Sequence, residues 1–295
     1  METLKNKIDF GVIVTVKNAN PNGDPLNGNR PRVNYDGYGE LSDVCIKRKI
    51  RNRLMEAGYE IFVQSDDNRV DGYRSLRARA EGELKGVGVK DEKEYREEAC
   101  RKWIDVRSFG QVFAYKGSNK KAKKDEEGGE EQGVSIGIRG PVSIHPAFSI
   151  SPIGISSIQI TKSVSGEGDG TKRASDTMGM KHRVDHGVYV FYGGINPQLA
   201  SKTGFSDEDA EAIKHVLINL FQNDASSARP EGSMEVYKVY WWKHNNKNGQ
   251  YSSAKVHRLL NISLKFGVTD PKDISDYEIE LKTLPDLTPE IIDGL

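Results

Sequence analysis

Asp9-Phe-Gly-Val-Ile-Val-Thr-Val-Lys17 is followed at once by the loop Asn18-Ala-Asn-Pro-Asn-Gly-Asp-Pro-Leu-Asn-Gly-Asn-Arg-Pro-Arg32, and then by Ser42-Asp-Val-Cys-Ile-Lys-Arg-Lys-Ile-Arg-Asn-Arg-Leu54. The first stretch is β-rich and places Phe10, Val12, Val14 and Val16 on one side at period two. The third reads as a helix. Ser42 or Asp43 can cap it and Gly58 can end it. Ile46, Ile50, Leu54 and Ala57 share one stripe, Lys47, Arg48 and Arg51 project roughly opposite it, and Lys49 and Arg53 flank it. The stripe is expected to pack on the first strand and leave the cations in water. Charge runs are usually solvated faces, but this one has almost no acidic partner four residues on. A polyanion could therefore meet loop backbone and helix cations on one surface.

The rest of the composition makes that run a local feature. Lys+Arg and Asp+Glu each number 43 in 295 residues, so net charge names no partner. Basic residues cluster at 47–53, 116–124 and 172–183, and acids dominate 270–293, read as a solvated tail face. The length allows a sizeable core in one large domain or two small ones. Two distant cysteines, Cys45 and Cys100, argue against a disulfide scaffold and fit a reducing cytosol. No apolar run approaches a membrane span and no charged-then-apolar leader opens the sequence, so a cytoplasmic protein is expected.

Further along, 91–104 reads as a helix with Tyr95, Ala99 and Trp103 spaced four apart, and 105–113 turns out of it. The span 114–134 holds a low-complexity run, basic then acidic, that is expected to be a mobile charged insertion. Strands are expected at 134–139, 141–150, 155–162 and 187–192, around a glycine-rich basic loop at 163–186. Ser206-Asp-Glu-Asp209 looks like a capping box, opening a helix with Ala210, Ile213, Leu217, Leu220 and Phe221 on its stripe. Strands follow at 236–242 and 259–266. The elements mix without strict alternation and no repeat is visible. This favours an α+β fold with an antiparallel sheet, an RRM-like (ferredoxin-like) core carrying long insertions in a single domain over 1–295. Such sheets suit single-stranded nucleic acid, whose bases can stack on them.

No catalytic constellation emerges. His182 and His186 stand four apart, but Gly187 and the β-rich run after it place them at a loop–strand junction, and no glutamate follows the first histidine as in a zincin. No metal site or other cofactor is expected. Gly166-Glu-Gly-Asp-Gly170 lacks the Gly-Lys-Ser/Thr of a phosphate loop, no Gly-x-Ser-x-Gly elbow occurs, and Asn22-Gly23-Asp24 reads by default as a turn. Six histidines leave acid–base chemistry open without singling one out. The nucleic-acid signal is stronger. It comprises the helix cations, Arg107 and Arg139 beside glycines, Lys181 and Arg183, and aromatics such as Phe109, Tyr189 and Phe191. Tyr189, Phe191 and the pair Trp241–Trp242 can equally be core.

Six motifs then fall in one order: Asn20-Pro-Asn-Gly-Asp-Pro25, Asp43-Val-Cys-Ile-Lys-Arg-Lys-Ile-Arg-Asn52, Asp105-Val-Arg-Ser-Phe-Gly110, Arg139-Gly-Pro-Val142, Thr177-Met-Gly-Met-Lys-His182 and Thr203-Gly-Phe-Ser-Asp-Glu-Asp209. Together they resemble the CRISPR-associated Cas-seven family of the RAMP superfamily, subtype I-C, over about residues 8–266. The charged insertion at 116–133 and the acidic C-terminus depart from the pattern.

The resemblance implies an RRM-like palm with finger-like and thumb-like insertions. It implies a backbone subunit of a type I-C Cascade complex, several copies of which stack head to tail along a guide RNA. The other expected partners are a Cas-five-type end subunit, a large PAM-reading subunit, a small subunit, and target DNA paired with the guide. Such subunits are not the nuclease, and sequence-blind backbone contact needs cations and glycines rather than catalytic groups. Asn20, Asn22, Lys47, Arg48, Arg51, Arg107, Ser108, Arg139 and Lys181 fall inside matching motifs, Arg183 directly follows one, and all are the expected RNA contacts. The thumb is expected at 163–186, with Lys172 and Arg173 on it and Met178 and Met180 as flexible wedges. Two rival expectations are a RAMP-type endoribonuclease that processes the guide precursor with a histidine or Asp24, and a plain single-strand-binding module.

Overall fold

Both faces of the first strand are buried, and this decides the layering. A computed structural model describes residues 2–85, 91–115, 134–162 and 178–295. The run 116–133 and residues 163–177, with Lys172 and Arg173, lie outside the described residues.

Strand β1 (Ile8–Ala19) is followed by the short pair β2 (Gly23–Asp24) and β3 (Arg30–Pro31), then by β4 (Tyr38–Leu41) and α1 (Asp43–Glu56). As the sequence suggests, the Ser42 side chain caps α1 by accepting from the Cys45 N–H. Next come α2 (Leu76–Glu83), α3 (Glu92–Lys102), α4 (Ile104–Phe109) and the hairpin β5 (Gly110–Tyr115)–β6 (Val134–Arg139). The helix expected at 91–104 is thus broken by Trp103, which is extended (φ −110°, ψ 118°), and 104–109 restarts as helix rather than turning away. This inserted unit has its own small core around Phe62, Tyr95, Trp103 and Phe113.

The chain continues through β7 (Val142–Ile144), β8 (Ala147–Pro152), β9 (Ile155–Thr161), β10 (Met178–Ile195), α5 (Pro197–Thr203), α6 (Asp207–Ile218) and β11 (Met234–Lys243). It ends with α7 (Ser253–His257), β12 (Leu260–Leu264), β13 (Tyr277–Leu281) and β14 (Glu290–Asp293). The Ser206–Asp209 capping box forms as read.

The main sheet is antiparallel, in the order β14-β11-β1-β10-β8-β4, with β7 and β9 also paired to β10. On one face Phe10, Val12, Val14 and Val16 meet Ile46, Ile50 and Leu54 of α1 and Ile213 and Leu217 of α6. On the other face Ile13, Val188, Tyr240 and Trp242 lie under Val256, Leu260, Tyr277 and Leu287. Burying these large apolar groups on both sides supplies most of the driving force for the layering.

Several expectations are corrected here. The acidic end is not a loose tail: most of its acids are exposed, as expected, but Tyr277 and Leu287 between them are core, β13 pairs with β12, and β14 closes the sheet edge on β11. Residues 178–186 are not loop but the first half of β10, paired with β9 from Met178↔Thr161 to Val184↔Ile155. His182 and His186 therefore sit inside a strand. Tyr189, Phe191, Trp241 and Trp242 are all core, and the sheet face offers no aromatic platform for bases at these positions.

Candidate nucleic-acid interface

Along the outer side of α1 runs a polar groove of about 440 Å³. The 20–23 turn, the 65–68 loop and the 220–229 segment wall it, and it is lined by Asn22, Arg48, Lys49, Asn52, Arg53 and Arg229 among others. The N-terminal cap places Asn22 there. Its Oδ1 accepts from the backbone N–H and the hydroxyl of Ser42, each at 2.9 Å. Asn20 is buried and donates to the Asn29 carbonyl at 2.6 Å.

The helix cations are not left free in water, contrary to the sequence expectation. Lys47 pairs with Asp43 one turn back at 2.9 Å, and Arg48 donates to the Val63 carbonyl at 2.6 Å. Lys49 is buried against Asp224, and Arg51 Nε meets Asp105 Oδ2 at 2.9 Å. Arg53 pairs with Glu56 and donates to Asn219. Burial lowers the pKa of Lys49, with the Asp224 charge opposing it, and burial with the neighbouring Arg51 charge lowers that of Arg48. The missing partners were three residues on, four residues back, or far away in sequence. Lys47 and Arg48 keep part of their side chains at the surface; Lys49 does not.

Arg107 is similarly committed. It makes a bidentate pair with Asp209 at 2.9 and 2.7 Å and also donates to the Cys100 carbonyl. Ser108 is fully buried. The glycines beside Arg107 and Arg139 have a backbone reason. Gly110 has φ +80°, and a Cβ there would lie 2.3 Å from the Ile138 carbonyl. A Cβ at Gly140 would lie 2.2 Å from the Ser108 carbonyl. Two motifs are thus locked together by close backbone approach, leaving Arg139 exposed at the end of β6.

Lys181 and Arg183 stand apart from the groove, on the β9–β10 ribbon. The loop holding Asn20 and Asn22 reaches that ribbon through Arg30, whose guanidinium donates to Ser157 Oγ at 2.9 Å. Met178 and Met180 are more than half exposed. Phe109 lies under Arg51, with the guanidinium 5.1 Å from its ring centre, and packs on the main core. Arg30, Asn52 and Arg229 were not singled out in the sequence; Arg30 alone carried a signal, as a cation within the glycine loop.

A second polar cluster was also invisible in the sequence. Asp9, fully buried, accepts from His244 Nε2 at 2.9 Å, and Lys7 Nζ lies 3.3 Å away. His257 Nε2 lies 3.7 Å from Asp9 and 3.1 Å from the Gly193 carbonyl. Burial opposes ionisation of Asp9, but hydrogen bonds from His244 and Ser253 and the Lys7 charge outweigh it and lower its pKa. Burial lowers the pKa of His257 despite the Asp9 charge. His244 accepts the Gln250 N–H at Nδ1, so its proton sits on Nε2 and points at Asp9. The cluster staples the 244–257 segment to β1. Among the described residues no group of three or more His, Cys, Asp or Glu is placed to hold a metal ion.

The class these features define is a helix-backed antiparallel sheet with a polar groove of mixed charge beside its first helix, where Arg48, Lys49, Arg53 and Arg229 stand with Glu56, Asp67 and Asp224. The particular family is given by comparison: the family model described as "CRISPR-associated protein Cas7" matches residues 6–282, and the chain belongs to that family. A relative described as "CRISPR-associated protein Cas7", from Haloferax volcanii, is 25% identical over 266 residues, spanning 88% of this chain and 76% of its own. Among solved structures, a chain of a "CRISPR RNA-guided surveillance complex, pre-nicking" gives a TM-score of 0.47 at 15% identity, covering 90% of this chain and 84% of that one. A chain of another "CRISPR RNA-guided surveillance complex" gives 0.41 at 15% identity, covering 80% and 68%.

Proposed function

We propose that this protein is a guide-RNA-binding backbone subunit of a type I-C Cascade surveillance complex, acting without catalysis in the cytoplasm. The family match over residues 6–282 is the observation that carries this reading. Several copies line up along one guide RNA, which displays its bases to target DNA. An end subunit, a large PAM-reading subunit and a small subunit complete the assembly. The strand order β11-β1-β10-β8, with α1 and α6 on one face, supports an RRM-like palm. The α2–β6 unit supports the finger, and the β9–β10 ribbon supports the thumb.

The RNA does not follow the RRM habit of stacking on the open sheet face, because Tyr277 and Leu287 cover that face. It passes instead over the outer side of α1 and the ribbon. Lys47, Arg48, Arg139, Lys181 and Arg183 contact its backbone. Asn20, Asn22, Arg51, Arg107 and Ser108 act indirectly, by holding the loop, the cap and the insertion in place.

Purification of the protein with its operon partners tests the reading. The expected result is a complex carrying RNA of one fixed length and several copies of this chain. RNA of heterogeneous length would point to a plain single-strand-binding module. Metal-free cleavage of a repeat hairpin by the isolated protein would point to an endoribonuclease.

A further inference from the structure

Asparagine followed by glycine is prone to lose its side-chain amide spontaneously, because glycine has no Cβ to obstruct ring closure on its backbone nitrogen. The chain holds three such pairs, Asn22-Gly23, Asn27-Gly28 and Asn248-Gly249. The fold treats them differently. Asn22 Oδ1 accepts from the backbone N–H and the hydroxyl of Ser42, each at 2.9 Å, and the Asn22 carbonyl accepts from the Arg32 N–H. Gly23 is packed so closely on Asn29 that a Cβ would not fit. Asn248 Oδ1 accepts from Gln198 Nε2 at 2.7 Å, and Gly249 lies against the Lys7 side chain.

Asn27 is held by nothing comparable. It is exposed, and no hydrogen bond engages its side chain among the described residues. It ends the short 3-10 turn Pro25–Asn27, and residues 25–29 are all exposed, Leu26 almost completely. Gly28 has φ +57°, and nothing lies within 4 Å of a Cβ built on it. The loop joins β2 to β3, two short strands that pair only with each other. The Asn27 amide is therefore free to turn onto the Gly28 nitrogen, and an exposed loop of this kind opens at little cost.

We propose that Asn27-Gly28 is a site of spontaneous covalent modification, with water as the co-reactant. The Gly28 backbone nitrogen gives its proton to a solvent base and attacks Asn27 Cγ. The N–Cγ bond forms, the Cγ–Nδ2 bond breaks, and ammonia leaves, giving a cyclic succinimide. Water then adds to either ring carbonyl and opens the ring to aspartate or to isoaspartate, with no change in oxidation state. Both products put a new carboxylate on the loop. Isoaspartate also routes the main chain through the side-chain carbon and so lengthens the β2–β3 connection. At its native length that connection places the Asn29 N–H on the Asp24 carbonyl at 2.8 Å and carries Arg30 to Ser157 Oγ at 2.9 Å. The modification thus changes the charge and the length of a loop tied to the β9–β10 ribbon, without an enzyme. It does not depend on the guide-RNA reading.

The test ages the full chain in mildly alkaline buffer, folded and, in parallel, unfolded in guanidinium chloride. Tryptic peptides are then followed by mass spectrometry. Trypsin cuts after Lys17 and Arg32 but not at Arg30, which precedes Pro31, so Asn22 and Asn27 share one peptide and fragmentation separates them. In the folded chain Asn27 should convert first, ahead of Asn248. Asn22 should be slower than Asn27 by at least about tenfold, since two hydrogen bonds to Ser42 must break before its amide can turn. In the unfolded chain the three sites should convert at similar rates. A gap to Asn22 of less than tenfold, Asn248 as fast as Asn27, or a folded-state rate at Asn27 more than about tenfold below its unfolded rate overturns the proposal. Asn27→Gln should remove the early acidic species from anion-exchange profiles, because glutamine closes the larger ring far more slowly. Persistence of that species at the same rate would also overturn the assignment.

Discussion

Arg51 Nε and Asp105 Oδ2 meet at 2.9 Å, and the same carboxylate accepts the backbone N–H groups of Phe62 at 2.7 Å and Val63 at 3.0 Å. One buried acid thus fastens α1, the 62–63 turn and α4 together. A cation that sequence reading assigned to RNA is consumed in building the surface on which the RNA is proposed to lie.

That pair gives the first prediction. Asp105→Ala leaves a mostly buried guanidinium and two backbone donors without their acceptor. It should lower stability by about 3–5 kcal/mol, the range for breaking a buried pair by removing one partner. Urea unfolding of the free protein measures this. Arg51→Ala should also destabilise; if it weakened RNA binding without moving the unfolding midpoint, Arg51 would belong to the interface.

Asn22 distinguishes a cap from a contact in the same way. Asn22→Ala removes the acceptor that holds Ser42 at the head of α1. A loss of about 1–2 kcal/mol is expected, on the scale of a lost helix cap. The slope of RNA affinity against salt should not change, because no cation is removed. A changed slope at constant stability would place Asn22 on the RNA.

Acid should destabilise the protein in two stages. The folded-state pKa of His257 is lowered, so protonation favours the unfolded chain. Its contribution is complete above the unfolded value of about 6.5 and is lost as pH falls below that toward the folded value. The folded-state pKa of Asp9 is also lowered, so its contribution is complete above about 4 and is lost as pH falls through the folded value. The melting temperature followed from pH 8 to pH 3 should show both losses. His186, whose pKa burial also lowers, falls in the upper window. A His257→Gln variant should therefore reduce the upper loss without removing it, and an unchanged upper loss in that variant would refute the assignment.

The residues that flank the 116–133 run already pair, Tyr115 opposite Val134 in the β5–β6 ladder. Replacing the run with an Asn-Gly turn should keep that register and leave the melting temperature within about 4 °C of the parent, the scale of a change of about 1 kcal/mol in a chain of this size. A drop of many degrees would show that the run contributes to packing.

Local pattern settled the parts of this protein that depend on neighbours in sequence. Period two gave β1 its buried Phe10, Val12, Val14 and Val16, and helical spacing gave α1 its Ile46, Ile50 and Leu54 stripe. Ser42 and the Ser206–Asp209 box cap their helices as read, because capping is a contact between residues two or three apart. The six motifs in order were enough to indicate the family, to which the chain is now matched over residues 6–282. Charge fate was not legible in this way. Arg51 finds Asp105, Arg107 finds Asp209 and Lys49 finds Asp224 across 54, 102 and 175 residues, and only the folded chain brings those carboxylates within reach. The packing of the acidic end was not legible either: its acids are exposed as read, but β11 presents an unpaired edge for β14, and the far sheet face presents Trp242 and Val188 for Tyr277 and Leu287 to cover. Periodicity reports which side of an element is apolar; what lies against that side, and which charges remain for a ligand, depends on non-local pairing that only the tertiary structure decides.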